Sequence, residues 1–279
     1  MRLVQLKGEC QMSELDVINQ TIHLNTLKSL INDFRNLGIK KGDILLVHSS
    51  LSKIGWVCGA EVSVIQALLE VVGEEGKIVM PAHTGDNSDP SVWENPPIKK
   101  EWLDTLYDSM PAFEKEITPT RGMGRIAETF RKFPNTHRSD HPQVSFCTNG
   151  KDAESIVKKH LLTPQFGLNT PLETLYQMEA KVLLLGVSYS NCTSFHLAEC
   201  LTNKMNFVKM SAAMKVDGER QWVEFEDIDY NCDDFEEIGL QYERQSHRVI
   251  KGKVGQADCK LFEMKPAVDY ATKWMFKYR

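Results

Sequence analysis

The sequence predicts a three-layer α/β/α domain with a mixed central sheet. Short apolar runs of strand length alternate along the chain with longer runs that carry apolar residues at helical spacing. Such alternation is typical of a sheet that helices cover on both faces. Beyond residue 205 the pattern changes to more polar, strand-like segments, which predict antiparallel additions to the sheet. We therefore expect one domain over 1–279, with a strand-rich C-terminal part over 205–279.

Three helix–strand pairs and one further helix make up this pattern. The pairs are 26–37 with 43–50, 60–73 with 77–82, and 171–180 with 181–187. Glycines stop the first two helices and a proline opens the third. The further helix, 193–204, has Thr193 or Ser194 as its N-cap. Two more strands are predicted over 206–216 and 221–225, with Asp217-Gly218 as the turn between them.

A segment with several prolines and tryptophans, 84–119, interrupts the alternation and has little strand character. Its large aromatic side chains, Trp93, Trp102 and Phe113, are expected to be buried. Long irregular segments within compact domains are commonly functional. We therefore predict that 84–119 is an insertion that covers a site.

The composition argues against several classes of protein. The 279 residues are 42% apolar with a net charge of −5, as in an ordinary globular protein. Because the apolar runs are too short to span a bilayer and no secretory signal is evident, we expect a cytoplasmic protein without a membrane partner. Seven irregularly spaced cysteines without a C-x-x-C pair argue against a disulfide framework and a metal site. The sequence has no basic stripe with interleaved aromatic residues, so we expect no nucleic-acid partner.

Acidic residues are concentrated between Asp217 and Glu237, where ten of them accompany one base, Arg220. Two interpretations of this run stay open at the level of sequence. It is either the solvated face of a hairpin or a wall that attracts a cationic substrate.

The segment TPTRGMGRIAETF places two glycines directly before an amphipathic helical run. Gly122 and Gly124 allow backbone conformations that other residues resist, and the helix start offers unpaired N–H groups and the positive end of its dipole. This combination suits a phosphate, to which Arg121 could add a forked, charged contact. The alternative is a simple tight loop. The segment is neither a dinucleotide fingerprint, since a third glycine is absent, nor a Walker loop.

Two further candidate sites carry hydroxyls and histidines. The first buried strand runs into Ser49 and Ser50, at the strand end where α/β sheets collect ligands, whereas His48 is favoured as a buried core histidine. In the helix 193–204, His196 and Glu199 share a face, so the carboxylate could orient a ring that takes a proton near neutral pH. Thr193, one turn earlier, could donate to an oxyanion. A polar helix stripe without function is the alternative.

Together these segments closely resemble the aminoglycoside 3-N-acetyltransferase family, in its YokD-like chromosomal branch. The segments that carry the likeness are, in chain order, HSSLSKIGWV, VMPAHTGDNSDPSVW, MPAF, TPTRGMGRIAETFR, HRSDHPQVSF, LLGVSYSNCTSFHLAE and DDFEEIG. The likeness covers most of the chain, and TPTRGMG and RSDHP are its most specific blocks. It implies the α/β/α fold of that family and an acetyl-CoA-dependent N-acetyltransferase, of a class associated with antibiotic resistance, that acetylates the 3-amino group of an aminoglycoside.

The resemblance also implies roles for particular residues. His196 and Glu199 fall on the family's catalytic H-x-x-E. Coenzyme A would be held by residues of two loops and two nearby positions, namely Ser49, Ser50, Leu51, Thr120, Arg121, Gly122, Met123, Gly124, Ser139 and Phe146. A cationic amine substrate would meet acidic residues, of which Asp86, Glu226 and Asp234 are the candidates. No metal is implied.

Several alternatives stay open. The same fold could acetylate a different amine metabolite, or it could bind coenzyme A without aminoglycoside activity. A hydrolase using Ser49 or Ser50 is disfavoured because the G-x-S-x-G turn is absent. Direct transfer in a ternary complex is expected, but Cys192 and Cys200 flank His196 and suggest an acetyl-thiol route as the alternative. A homodimer is neither indicated nor excluded by the sequence.

Overall fold

The computed structural model describes residues 13–204 and 206–279. Cys10 and the rest of 1–12, together with Met205 at the start of the predicted strand-rich part, lie outside the described residues. The helices are α1 (Glu14–Gln20), α2 (Leu27–Asn36), α3 (Leu51–Ile54), α4 (Ala60–Val72), α5 (Leu103–Ser109), α6 (Gly124–Arg131), α7 (Glu154–Val157), α8 (Pro171–Gln177), α9 (Ser194–Leu201), α10 (Phe235–Ser246) and α11 (Met264–Tyr278). The strands are β1 (Ile44–Ser49), β2 (Lys77–Pro81), β3 (His137–Arg138), β4 (Phe146–Gly150), β5 (Lys181–Leu185), β6 (Phe207–Val216), β7 (Glu219–Ile228), β8 (Ile250–Val254) and β9 (Ala257–Glu263).

The central sheet has seven strands in the order β3-β4-β2-β1-β5-β9-β8. Its three middle strands, β2, β1 and β5, run parallel, whereas β4, β3, β9 and β8 are added antiparallel. The predicted mixed sheet is thereby confirmed. The antiparallel additions differ from the prediction in one respect, because β3 and β4 come from the middle of the chain and only β8 and β9 from its C-terminal part.

Helices cover both faces of the sheet, as the alternation predicts. Successive side chains of a strand point to opposite faces, so Leu45 and Val47 of β1 belong to the core under α2, α4 and α6. Leu46 belongs to the opposite core, which α8, α9, α10 and α11 cover. This division gives the three layers of the predicted α/β/α fold.

The C-terminal part contains more helix than the sequence analysis predicts. The strands β6 and β7 form a hairpin whose turn is Asp217-Gly218, as predicted, but the hairpin is a separate two-stranded sheet. The helices α10 and α11, of 12 and 15 residues, were missed. Their buried apolar residues recur at helical spacing, and those of α11 are Met264, Ala267, Val268, Ala271 and Met275. This periodicity is present in the sequence, where charged residues interrupt it.

The segment 84–119 forms short helical turns and α5, and its two ends meet. Its beginning follows β2, and just after its end Arg121 N–H donates to the carbonyl of His83 at 2.8 Å. The Asn87 side chain bonds both the N–H and the carbonyl of Ala213, which fixes the segment to the β6–β7 hairpin. Phe113 is buried as predicted, but Trp102 is 51% exposed, so its predicted burial is wrong. In the described part of the chain no helix is long and apolar enough to cross a membrane.

Candidate functional site

Five segments of the candidate site meet at one edge of the sheet. The parallel strands β1, β2 and β5 end there at Ser49, Pro81 and Leu185. Because β4 runs antiparallel, its first residue, Phe146, pairs with Pro81 at the same edge. The helix α9 follows β5 through a short helical turn, which places His196 on this side of the molecule. Carboxyl ends of parallel strands are where α/β sheets bind ligands.

The glycine-rich loop has the backbone that its sequence predicts. Gly122 and Gly124 have φ values of 70° and 78°, in the left-handed region that favours glycine. A Cβ atom at Gly124 would lie 3.9 Å from the carbonyl oxygen of Ser49, so the loop lies against the end of β1. Gly124 is also the first residue of α6, with Met123 as its N-cap. The loop therefore presents the start of α6 beside the carboxyl end of β1.

A cavity of about 400 Å³ opens at the glycine-rich loop. Its lining combines loop and helix residues, namely Glu61, Thr120, Gly122, Met123, Gly124, Arg125, Glu128 and Thr129. The two carboxylates in this lining have partners. Glu61 pairs with Arg125, and Glu128 pairs with Arg131 and accepts both the N–H and the hydroxyl of Thr120. Burial opposes the charge of Glu128, but these hydrogen bonds outweigh it and hold the pKa of that carboxyl below its usual range.

The residues after β1 form a second wall of this region. Ser50 N–H donates to the carbonyl of Leu185 at 2.9 Å, which ties the end of β1 to that of β5. The Ser50 and Ser52 hydroxyls lie 3.3 Å apart, and Leu51 packs against the core under α4. Ser49 and Ser50 are half-buried, so their hydroxyls lie at the edge of the site rather than in the core.

His196 and Glu199 form the short hydrogen bond that their spacing on one helix predicts. His196 Nδ1 lies 2.5 Å from Glu199 Oε2, and the glutamate is fully buried. The other carboxylate oxygen accepts Asn231 N–H at 2.9 Å and the guanidinium of Arg279 at 2.5 Å. Because an ionised carboxylate only accepts, Nδ1 is the donor, and Nε2 is the ring nitrogen that can take a proton.

Three aromatic rings fix the plane of His196. Phe166 stacks on the imidazole with ring centroids 4.6 Å apart, while Tyr230 and Phe235 lie 5.3 and 4.8 Å away at steeper angles. The loop that leads to Phe166 is held by a residue of β7. The buried Asp227 accepts the N–H of Gln165 and the hydroxyl of Thr163.

Two further histidines lie beside His196 at the strand ends. Burial, reinforced by the neighbouring His196, lowers the pKa of both His48 and His83 to about 3, so both rings are neutral near pH 7. His48 is buried, as the favoured interpretation of the sequence had it. Within residues 13–204 and 206–279, the Nε2 atoms of both rings are buried and have no hydrogen-bond partner. His83 was missed, although it directly follows the second predicted strand.

His83 connects the glycine-rich loop with the catalytic candidates. Its carbonyl accepts Arg121 N–H, and its ring lies 5.7 Å from the ring of Phe166. Phe166 is the ring that stacks on His196. A chain of contacts through His83 and Phe166 thus runs from the glycine-rich loop to the imidazole of His196.

Thr193 and the two cysteines near His196 have distinct surroundings. Thr193 is the N-cap residue of α9, as predicted, but its side chain makes no capping hydrogen bond. Burial raises the pKa of both Cys192 and Cys200 to about 12. Thiolates are the nucleophilic form of cysteine, so neither thiol is activated at neutral pH.

Ser139 and Phe146 do not line an open surface, contrary to what a direct contact with a cofactor requires. Both side chains are fully buried. The Ser139 hydroxyl accepts Phe146 N–H at 2.9 Å and lies 2.9 Å from His160 Nδ1. Their side chains support the strand ends from within, and a place for these residues near the cofactor stays a prediction.

The three acidic candidates for substrate binding are scattered rather than gathered. Asp86 pairs with Arg121 at 3.3 Å, and both are more than half exposed. Glu226 is exposed on β7, opposite Lys209. Asp234 is paired with Arg279. With Asp227 buried, the acidic run between Asp217 and Glu237 does not form one wall.

Arg279 and Phe166 are the site residues for which the sequence offered no signal. Arg279 lies 80 residues from Glu199, and Phe166 lies in a segment without periodicity. Tyr230 and Phe235 lie within the acidic run, which the sequence analysis interprets from its charged residues. Among residues 13–204 and 206–279, no group of three or more His, Cys, Asp and Glu side chains is placed to hold a metal ion.

Comparison with known proteins gives consistent matches over nearly the whole chain. The family model described as Aminoglycoside 3-N-acetyltransferase matches residues 46–276. The SPbeta prophage-derived aminoglycoside N(3')-acetyltransferase-like protein YokD of Bacillus subtilis (strain 168) is 44% identical over 259 residues, which are 92% of this chain and 95% of YokD. Its crystal structure superposes with a TM-score of 0.92 at 43% identity, covering 95% of this chain and 98% of that chain.

Two more distant matches carry names that describe an activity or a ligand. Aminoglycoside N(3)-acetyltransferase IX of Micromonospora chalcea is 30% identical over 278 residues, covering 95% of this chain and 98% of its own length. A structure described as AAC-IIIb binary with CoASH has a TM-score of 0.81 at 25% identity, covering 91% of this chain and 97% of that chain.

Proposed function

The chain belongs to the aminoglycoside 3-N-acetyltransferase family, a class of acyltransferases, and on that premise we propose that it transfers an acetyl group from acetyl-CoA to the 3-amino group of an aminoglycoside. The observation that carries the proposal is the His196–Glu199 pair beside the glycine-rich loop, joined through His83 and Phe166. A cytoplasmic location stays a prediction from the sequence.

His196 is the proposed general base. An ammonium group has no lone pair with which to attack a thioester, so its proton must first be removed. Glu199 accepts a hydrogen bond from the Nδ1–H group and holds the ring, which leaves Nε2 free to take the proton of the ammonium group. The amine nitrogen then bonds to the acetyl carbon, the carbon–sulfur bond breaks, and the proton on Nε2 passes to the leaving sulfur. The nitrogen gives up its second surplus proton to solvent, so that one ammonium group and one thioester yield one amide, one thiol and one proton.

Donors near His196 would stabilise the oxyanion that forms during this attack. Thr193 lies one helical turn before His196, and its hydroxyl is not used as a helix cap. We assign it the donor role, because fixed donors aimed at developing charge lower the barrier without reorganisation at the moment of reaction.

Direct transfer fits the surroundings of the cysteines better than an acetyl-thiol intermediate. Both flanking thiols stay protonated near pH 7 because burial raises their pKa to about 12. Cys192 is also fully buried, with its sulfur 3.1 Å from the Ser194 hydroxyl. A thiol in this setting is a packing group rather than a nucleophile.

The glycine-rich loop would hold the phosphates of acetyl-CoA. The left-handed backbone at Gly122 and Gly124, the start of α6 and the 400 Å³ cavity fit an anionic group, and Arg121 can reach it from the surface. Ser49 lies against the glycine-rich loop, since a Cβ atom at Gly124 would be 3.9 Å from its carbonyl oxygen, and we place the pantetheine arm along Ser49 and Ser50. The segment 84–119, fixed to the β6–β7 hairpin, is the proposed cover, and its Asp86 would contact the cationic substrate.

The decisive experiment measures thiol release from acetyl-CoA with a panel of aminoglycosides and simple amines, and identifies the product by mass spectrometry. We expect acetylation at the 3-amino position, and we expect His196→Ala to lower kcat by about 100-fold or more with coenzyme A affinity unchanged. Near-native turnover by His196→Ala would contradict the base assignment.

Two other outcomes would replace the proposed acceptor. Release of thiol with a simple amine but with no aminoglycoside would identify a transferase for another amine metabolite. Tight binding of coenzyme A without turnover for any amine would identify a binding protein that retains the fold. Asp86 and Glu226 are both exposed. If they contact the acceptor, surface segments determine which amine is acetylated, and such segments vary more easily than the His196–Glu199 pair.

A further inference from the structure

The guanidinium of Arg279 joins two carboxylates next to the catalytic pair. Its Nη1 donates to Glu199 Oε1 at 2.5 Å, and its Nε donates to Asp234 Oδ2 at 2.7 Å. Its Nη2 donates to the other oxygen of Asp234 and, at 2.7 Å, to the carbonyl of Asn231. All three nitrogens of the fork are thus used, and α9, the segment before α10 and residue 279 are joined at one point.

The geometry gives Glu199 a complete set of donors. One carboxylate oxygen accepts His196 Nδ1–H, and the other accepts Asn231 N–H and Arg279. A fully buried carboxylate is stable only when such donors compensate its lost hydration. Asn231 N–H is a neutral donor, so Arg279 supplies the positive charge on the side of Glu199 that faces away from His196.

Asp234 has a role in this arrangement that differs from the predicted substrate contact. It binds the fork of Arg279 through both oxygens, the planar geometry that suits an arginine–carboxylate pair. Burial works against the charge of Arg279, but the hydrogen bonds and charges of Asp234 and Glu199 outweigh it and raise its pKa. Asp234 therefore fixes the guanidinium, and the guanidinium fixes Glu199.

We propose that Arg279 is a positioning residue, which holds Glu199 so that the carboxylate keeps the Nδ1 proton on His196 and leaves Nε2 as the base. The proposal rests on the proposed function for its kinetic consequence, but its structural content concerns only the hydrogen bond between His196 and Glu199. Without Arg279, Glu199 would lose its charged donor, and its carboxylate would no longer be held against the ring.

The kinetic test compares Arg279→Gln and Arg279→Lys with the wild-type protein. We expect Arg279→Gln to lower kcat by about 10- to 100-fold, as loss of an outer partner of a functional histidine does, with the KM for acetyl-CoA within about twofold. Arg279→Lys should recover part of the loss, because an ammonium can reach Glu199 but cannot make the fork with Asp234. The control is Arg248→Gln, whose exposed guanidinium lies 4.0 Å from Glu263, and it should keep full activity.

A second measurement does not depend on turnover. In protein labelled with ¹⁵N-histidine, the Nδ1 proton of His196 should give a deshielded signal that exchanges slowly with water, assigned by its loss in His196→Gln. We expect this signal to be lost or shifted in Arg279→Gln and unchanged in Arg248→Gln. Thermal unfolding and coenzyme A affinity report whether each variant is folded. If Arg279→Gln does not fold, the same comparison is made with Arg279→Lys.

The outcomes separate the inference from the function on which it rests. A wild-type protein that acetylates no amine would contradict the proposed function, while the NMR comparison would still decide the role of Arg279. An unchanged Nδ1 signal and kcat in Arg279→Gln would overturn the inference alone. A lower KM for the cationic acceptor with unchanged kcat would overturn it too, because Arg279 would then compete with substrate for Asp234.

Discussion

At the scale of single residues, the backbone and the side chain of Arg121 have different partners. Its backbone N–H is bonded to His83, whereas its guanidinium extends to the surface and pairs with Asp86 at 3.3 Å. Exposed pairs of this kind contribute only about 0–1 kcal/mol to stability. Replacing the side chain should therefore leave the loop in place.

Arg121→Ala should weaken coenzyme A binding by about 10-fold, the loss of one charge-assisted contact to a phosphate, and should change binding of pantetheine by less than about twofold. Isothermal titration with both ligands measures the difference. Lys115→Ala, which removes one exposed positive charge from the same stretch of chain, should affect neither ligand. An equal loss for pantetheine would contradict the phosphate role of Arg121.

At the scale of elements, α10 lies directly against the ring of Tyr189 because residue 239 has no side chain. A Cβ atom at Gly239 would lie 2.0 Å from the Cγ atom of Tyr189 and 2.3 Å from Cδ1. The tyrosine hydroxyl donates to Glu243 one turn further along α10. The same helix begins at Phe235, which contacts His196. Packing of α10 is thereby coupled to the geometry of the site.

Gly239→Ala should lower the free energy of unfolding by about 1–3 kcal/mol, the usual cost of overpacking a core, and should also lower kcat because α10 must move outward. Urea denaturation and steady-state kinetics test both effects. Glu237→Ala, at an exposed position on the same helix, should change the free energy of unfolding by no more than about 0.5 kcal/mol and should leave kcat unchanged. Equal stability of the two variants would show that α10 adapts without strain.

At the scale of the whole molecule, four histidines that are buried or half-buried depend on staying neutral. Burial lowers the pKa of His48 and His83 to about 3 and of His160 to about 4, and it lowers that of His141 well below the usual value. In the unfolded chain these rings titrate near 6.5. The stability that they contribute is therefore complete above about pH 6.5 and is lost as the pH falls towards the folded-state values.

Unfolding measured in urea from pH 7.5 to pH 4.5 should show stability that is constant above about pH 6.5 and then falls, by up to about 1.4 kcal/mol per pH unit for each histidine. His160→Asn should reduce this slope by about one proton whatever it does to stability at pH 7. The surface histidine of β3 provides the control, since His137→Asn should leave the slope unchanged. A pH-independent stability over this range would contradict the buried neutral state.

The success of sequence-based prediction varied with the range of the interactions involved. Gly73 ends α4 as predicted, because such signals act through neighbouring backbone groups. The sequence also predicted that His196 and Glu199 share a face, which follows from their spacing on one helix. In contrast, the substrate contact of Asp234 was predicted from the resemblance and the acidity of its segment, and its partner in the structure is Arg279.

The sequence by itself determined the alternation of strands and helices, the left-handed glycines before α6 and the pairing of His196 with Glu199 on α9. Only the tertiary structure decided which distant groups surround that pair, placing Phe166 on the imidazole and Arg279 on the carboxylate. The reason is physical: periodicity and capping express contacts within a few residues, whereas burial brings together side chains whose separation along the chain carries no information about their distance.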